Sequence, residues 1–119
     1  MHRFSDQSRF VHFADDTTVF ASDSDIKGVH ASVNRELVGV ENWLKTNRLC
    51  LNVSKTSYMI ISNQENALDI KIRETIVTMV STVEFLGVTP DQNLTFKDHV
   101  NKVTSNISKS VGVMRRLRY

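Results

Sequence analysis

VHFADDTTVF, residues 11–20, places two neighbouring carboxylates, Asp15 and Asp16, between two short apolar runs. FVHF before them and TTVFA after them are rich in aromatic and β-branched residues, which favour extended backbone. Ala14, Asp15 and Asp16 tolerate a turn, so residues 10–21 are expected to form a β-hairpin with both carboxylates at its tip. Adjacent acids repel, and an unpaired carboxylate near a core is costly. Two readings are open here. The pair sits in a solvated turn, or it binds a hard cation such as Mg²⁺, which takes one or two protein carboxylates plus phosphates and water.

Working outward, SDSD (residues 22–25) supplies helix N-cap candidates. From Ile26 to about Thr46, the apolar residues Ile26, Val29, Val33, Leu37, Val40 and Leu44 recur every three or four positions, with Trp43 flanking them. That period predicts one face of an amphipathic helix, ended by Asn47-Arg48. SYMIIS (57–62), the alternating ALDIKI (67–72), IVTMV (76–80) and VEFLGV (83–88) read as strands, with RET (73–75) and PDQN (90–93) as turns. From Phe96 onward, Val100, Val103, Ile107, Val111, Met114 and Leu117 return to helical spacing. Two strands, a long helix, several strands and a last long helix predict an α+β domain.

At 119 residues the chain suits one small domain, and its 40% hydrophobic and 24% charged content is ordinary for a globular protein. The single cysteine, Cys50, excludes an internal disulfide and a cysteine-rich zinc site. MHRFSDQSRF (1–10) has no apolar core, so neither a secretory signal nor a membrane span is expected there, and the expected location is intracellular, in nucleus or cytoplasm. The net charge of +2 hides an asymmetry. Residues 97–119 carry six basic groups against one acid, Asp98, while the first 96 carry nine basic groups and twelve acids. An acidic body with a basic tail points to a polyanion held at one end; a solvated basic helix is the other reading.

FADDTTVF (13–20), ENWLKTNRLCLNVSKTSYMII (41–61) and VEFLGVTPDQNLTFKDHV (83–100), in that order, resemble the C-terminal palm of reverse transcriptases from non-LTR (LINE-type) retrotransposons, jockey-like insect elements in particular. The resemblance runs from Phe10 to Tyr119. It implies a partial palm of β-hairpin, long helix and antiparallel strands over residues 1–96. A basic helix over 97–119 would be the start of the thumb. In the family the aromatic-Ala-Asp-Asp turn holds catalytic Mg²⁺ (or Mn²⁺), so the resemblance implies that role for Phe13, Ala14, Asp15 and Asp16, with Asp15 the principal ligand.

Asn47–Thr56 resembles the family's Asn-x-Leu-x-Leu-Asn-x-x-Lys-Thr, which puts Lys55 near the incoming deoxynucleoside triphosphate, to neutralise or protonate the leaving pyrophosphate. Phe85, Leu86 and Gly87 resemble the primer grip. Leu94–His99 resembles Leu-x-Trp-x-x-His, with Phe96 in place of the tryptophan. In the helix beyond it, Lys102, Lys109, Arg115 and Arg116 would contact phosphates of an RNA template and DNA primer.

The family pairs its Asp-Asp hairpin with an earlier strand bearing another metal-binding aspartate. Asp6 lies in the approach to the same hairpin and cannot supply it. Fingers and an endonuclease region are missing as well. The resemblance therefore implies a fragment of an RNA-directed DNA polymerase, a two-metal nucleotidyltransferase in the parent enzyme, inactive as this isolated chain. A non-catalytic nucleic-acid-binding module and an inert remnant of a transposable element are the alternatives.

Overall fold

Residues 8–13, 15–62 and 67–118 are described by a computed structural model, a small α+β fold with two long helices and small antiparallel sheets. Strand β1 (Ser8–Phe13) pairs antiparallel with β2 (Asp16–Ala21), Phe13 lying opposite Asp16 and Ser8 opposite Ala21. The connection is thus a two-residue loop, the shortest hairpin link. Only Asp15 of the acidic pair lies in that loop, since Asp16 is already the first residue of β2. Ala14 and Asp6 fall outside the described residues.

Helix α1 spans Ile26–Thr46, as its apolar period requires. Asp25 holds the N-cap position with extended backbone, yet its carboxylate makes no capping hydrogen bond; the helix starts with the Val29 N–H donating to the Asp25 carbonyl at 3.1 Å. At the other end the Leu49 N–H donates to the Leu44 carbonyl (2.9 Å) and the Arg48 N–H to the Lys45 carbonyl (3.1 Å). Arg48 has φ +55°. This is a Schellman closure with arginine where glycine is usual.

Strands β3 (Ser57–Tyr58), β4 (Lys71–Ile72), β5 (Thr75–Ile76) and β6 (Thr78–Met79) are two residues each. The longer strands expected over 57–62, 76–80 and 83–88 are therefore cut short. The β4–β5 ladder has only two paired positions, Lys71 with Ile76 and Ile72 with Thr75, and a two-stranded ribbon has little to hold it extended. The alternation in ALDIKI does place its residues: Leu68, Ile70 and Ile72 turn inward, Ala67, Asp69 and Lys71 outward.

The chain forms two compact units, residues 1–58 with 66–78, and residues 59–65 with 79–119. In the first, Ile70, Ile72 and Val77 are buried, and Val33, Leu37, Leu51, Val53, Tyr58 and Leu68 pack around them. The Tyr58 hydroxyl donates to the Leu68 carbonyl (2.7 Å) and accepts from its N–H (3.1 Å), closing this core. The most buried residues of α1 are Ser32 and Glu36, beside the apolar stripe rather than on it. The reason is that α1 is packed on two flanks. Val33 and Leu37 meet the core, while Trp43 meets His12 of β1 at a ring separation of 5.9 Å. Ser32 and Glu36 lie on the hairpin side of the stripe by helical angle.

The second unit narrows to a tight turn. The Gln92 N–H donates to Ser81, Val83 to Pro90, and Phe85 and Val88 exchange both hydrogen bonds at 2.7 and 2.9 Å. Helix α2 (Lys97–Leu117) follows, and none of its residues is buried.

Candidate functional site

The hairpin tip owes its form to its own register. A two-residue loop leaves no slack, so Asp15 and Asp16 are fixed on the end of a paired ribbon. Both are exposed, as is Phe13, 64% of whose surface faces solvent. Phe13 and Asp16 are a cross-strand pair and share one face of the ribbon with Val11 and Thr18. His12 projects from the opposite face, where its ring nitrogen lies 3.0 Å from the Thr17 hydroxyl. The tip therefore offers two adjacent carboxylates to solvent.

Among the described residues no three His, Cys, Asp or Glu side chains gather to hold a metal ion. Two exposed carboxylates are the donor set that Mg²⁺ accepts when phosphates and water complete its shell. Asp15 and Asp16 fit that arrangement.

Lys55 belongs to the same unit but to a different element, the 3₁₀ turn Val53–Lys55. That turn is organised by Asn52: its carbonyl accepts from the Lys55 N–H (3.1 Å) and the Thr56 hydroxyl (2.9 Å), and its side chain from the Ser54 hydroxyl (2.6 Å). The Asn-x-x-Lys-Thr segment thus closes on the Asn52 backbone carbonyl, while the Asn52 side chain makes no capping bond and holds only the Ser54 hydroxyl. Lys55 is exposed, and among the described residues neither it nor Asp15 or Asp16 takes part in an ion pair.

In the second unit Phe85, Leu86 and Gly87 form the tip of the Phe85–Val88 turn. Leu86 has φ +50° and Gly87 +81°, the two left-handed positions of a type I′ turn. Gly87 is required by that geometry. A Cβ there would meet no neighbour within 4 Å, so backbone conformation, not crowding, selects glycine. Leu86 is unusual at such a position and is 54% exposed.

Helix α2 is launched by Asp91. One carboxylate oxygen accepts from the N–H groups of Asn93 (3.0 Å) and Thr95 (3.1 Å), the other from the Thr95 hydroxyl (2.7 Å) and the Phe96 N–H (2.7 Å). The Thr95 backbone and hydroxyl bonds do most to hold the carboxyl below the usual aspartate range, over an upward push from desolvation, and the Phe96 and Asn93 N–H groups add smaller downward contributions. Phe96 takes a left-handed φ of +56° at the N-cap. His99 accepts a hydrogen bond at Nδ1 from the Thr89 N–H (3.3 Å), a packing role.

Along α2, Lys102, Lys109 and Arg116 are seven residues apart and share one face, about 10.5 Å between successive positions. Arg115 lies about 100° around the axis, off that line. Lys102 is paired with Glu84 at 3.2 Å, both largely in solvent, a contact a polyanion can displace. The sequence reading missed Asp91 and Glu84. Asp91 was legible in principle, since Asp-x-Asn-x-Thr before a helix is a capping pattern, whereas nothing local marks Glu84. No helix among the described residues is long and apolar enough to cross a membrane. The chain matches no protein-family model, and no similar curated protein or solved structure was found.

Proposed function

We propose that the chain is a partial palm, with the start of a thumb, from a non-LTR retrotransposon reverse transcriptase, and that its own activity is binding of a nucleic-acid duplex without nucleotidyl transfer. The observation that carries this is the ordered set FADD, Asn47–Thr56, Phe85–Gly87 and Leu94–His99 in the sequence. In the parent enzyme Asp15 and Asp16 would hold Mg²⁺, which when bound supplies charge neutralisation for phosphoryl transfer. Lys55 would stabilise charge on the leaving pyrophosphate. Leu86, held outward at the turn tip, would press on the primer end. One further metal-binding aspartate and the fingers are required for positioning, and neither is among these elements.

Binding rests on the line of Lys102, Lys109 and Arg116. Each phosphate contact releases about one counterion, so the logarithm of affinity should fall with that of salt by about 0.9 per contact on DNA. Fluorescence anisotropy with an RNA–DNA hybrid over a salt series is the test. Lys109→Glu and Arg116→Glu should each weaken binding and flatten the salt slope by about one. Asp15→Asn should leave binding unchanged, and no primer should be extended in Mg²⁺ or Mn²⁺. Salt-insensitive binding, or extension abolished by Asp15→Asn, overturns the reading.

A further inference from the structure

We propose that Glu84 is a built-in competitor for nucleic acid: it occupies Lys102 in the free protein, and a phosphate must displace its carboxylate to use that lysine. The inference rests on the reading of Lys102, Lys109 and Arg116 as phosphate contacts, and assigns a regulatory role to an acid outside that line. The backbone on which Glu84 sits is fixed on both sides. The Val83 N–H donates to the Pro90 carbonyl, and Phe85 and Val88 exchange both hydrogen bonds, so Glu84 stands opposite Thr89 on the rung between. On such a rung of an antiparallel ribbon the N–H groups point outward. The Thr89 N–H therefore reaches α2, donating to His99 Nδ1 at 3.3 Å, while the Glu84 carboxylate reaches Lys102 at 3.2 Å. His99 and Lys102 are three residues apart and share a face of the helix. Two contacts from one rung thus hold the ribbon to α2.

Lys109 and Arg116 repeat the position of Lys102 along the helix, but neither takes part in an ion pair among the described residues. Of the three cations in the line, one is matched and two are open. A phosphate arriving at Lys102 is opposed twice. It must break the pair, and it then faces a freed carboxylate of its own sign. A ligand with a single phosphate has no other contact on the line to offset this. A duplex engages Lys109 and Arg116 at the same time, and so does. Glu84 therefore favours extended polyanions over single phosphates, and its effect fades as salt screens the pair. Because 48% of Lys102 and 64% of Glu84 face solvent, that effect is severalfold and not orders of magnitude.

A double-mutant cycle on the whole chain tests this, read by fluorescence anisotropy with an RNA–DNA hybrid at low salt. Glu84→Gln should bind about two- to fivefold more tightly than the native chain, and the gap should close as salt is raised. Lys102→Met should weaken binding in both backgrounds, by about two- to fivefold more when Glu84→Gln is present. Asp98→Asn removes the same charge from the start of α2, at an acid that takes part in no ion pair among the described residues. Its effect should not depend on Lys102→Met. If Glu84→Gln fails to tighten binding, or acts independently of Lys102→Met, the competitor role is overturned while the binding reading stands. If the hybrid binds neither the native chain nor Glu84→Gln, or binds both without salt dependence, the two fall together.

Discussion

At the scale of single residues, the turns of this protein are made by side chains that do not favour them. Arg48, Arg73, Leu86, Leu94 and Phe96 all have positive φ without being glycine. A left-handed conformation carries a penalty of about 1–2 kcal/mol for such residues, and glycine returns only part of that through its freer unfolded chain. Arg48→Gly, at the Schellman position after α1, should therefore stabilise the fold by about 0.5–1 kcal/mol in urea titration. Asp91 is the residue with most to lose. Its carboxylate is favoured in the folded state, so its contribution is complete above the ordinary aspartate value and fades as pH falls through the lower folded value. Circular dichroism should show α2 helicity declining over that acid window in the native chain. In Asp91→Ala helicity should be low at every pH, with the acid-dependent step gone.

At the scale of elements, legibility followed period and length. Both helices were readable because six or more apolar positions repeat in each, enough to fix bounds at Ile26–Thr46 and near Lys97. The β1–β2 hairpin was readable from β-branched and aromatic runs around a turn-tolerant triplet, although the turn is one residue tighter than that triplet suggests. The later strands were not, because β-rich composition marks what can extend, not what finds a partner. The candidate site divides the same way. Asp15 could be placed on a turn from the sequence, whereas Asp16 falls in β2, the 3₁₀ turn that carries Lys55 lies where an extended approach was expected, and the ion pair of Lys102 with Glu84 has no local sequence signal. The segment Ile70–Val77 matters most to stability, since Ile72 of β4 and Ile70 and Val77, which flank the β4–β5 ribbon, are the buried apolar residues of the described chain. Ile72→Ala should destabilise by about 2–4 kcal/mol, read from the shift in denaturant midpoint.

At the scale of the molecule, burial is unevenly shared. The core lies wholly in the unit of residues 1–58 with 66–78, whereas α2 in the other unit buries nothing. A 21-residue helix with no buried residue draws little stability from tertiary packing, the source of most helical stability in proteins. Hydrogen exchange should thus be slowest around Ile70–Val77 and the middle of α1. In dilute solution α2 should exchange orders of magnitude faster, protected only near its start. That start has a geometric corollary. The Asp91 carboxylate grips four donors on three residues, Asn93, Thr95 and Phe96, so the start of α2 is clamped at a set angle to the loop before it. Each residue added to a helix advances it by about 100°. Inserting one residue between Phe96 and Val100 would swing Lys109 and Arg116 a quarter-turn or more around the axis without altering composition or charge. Asp91 acts as the index mark of a dial: it decides in which direction everything downstream is aimed.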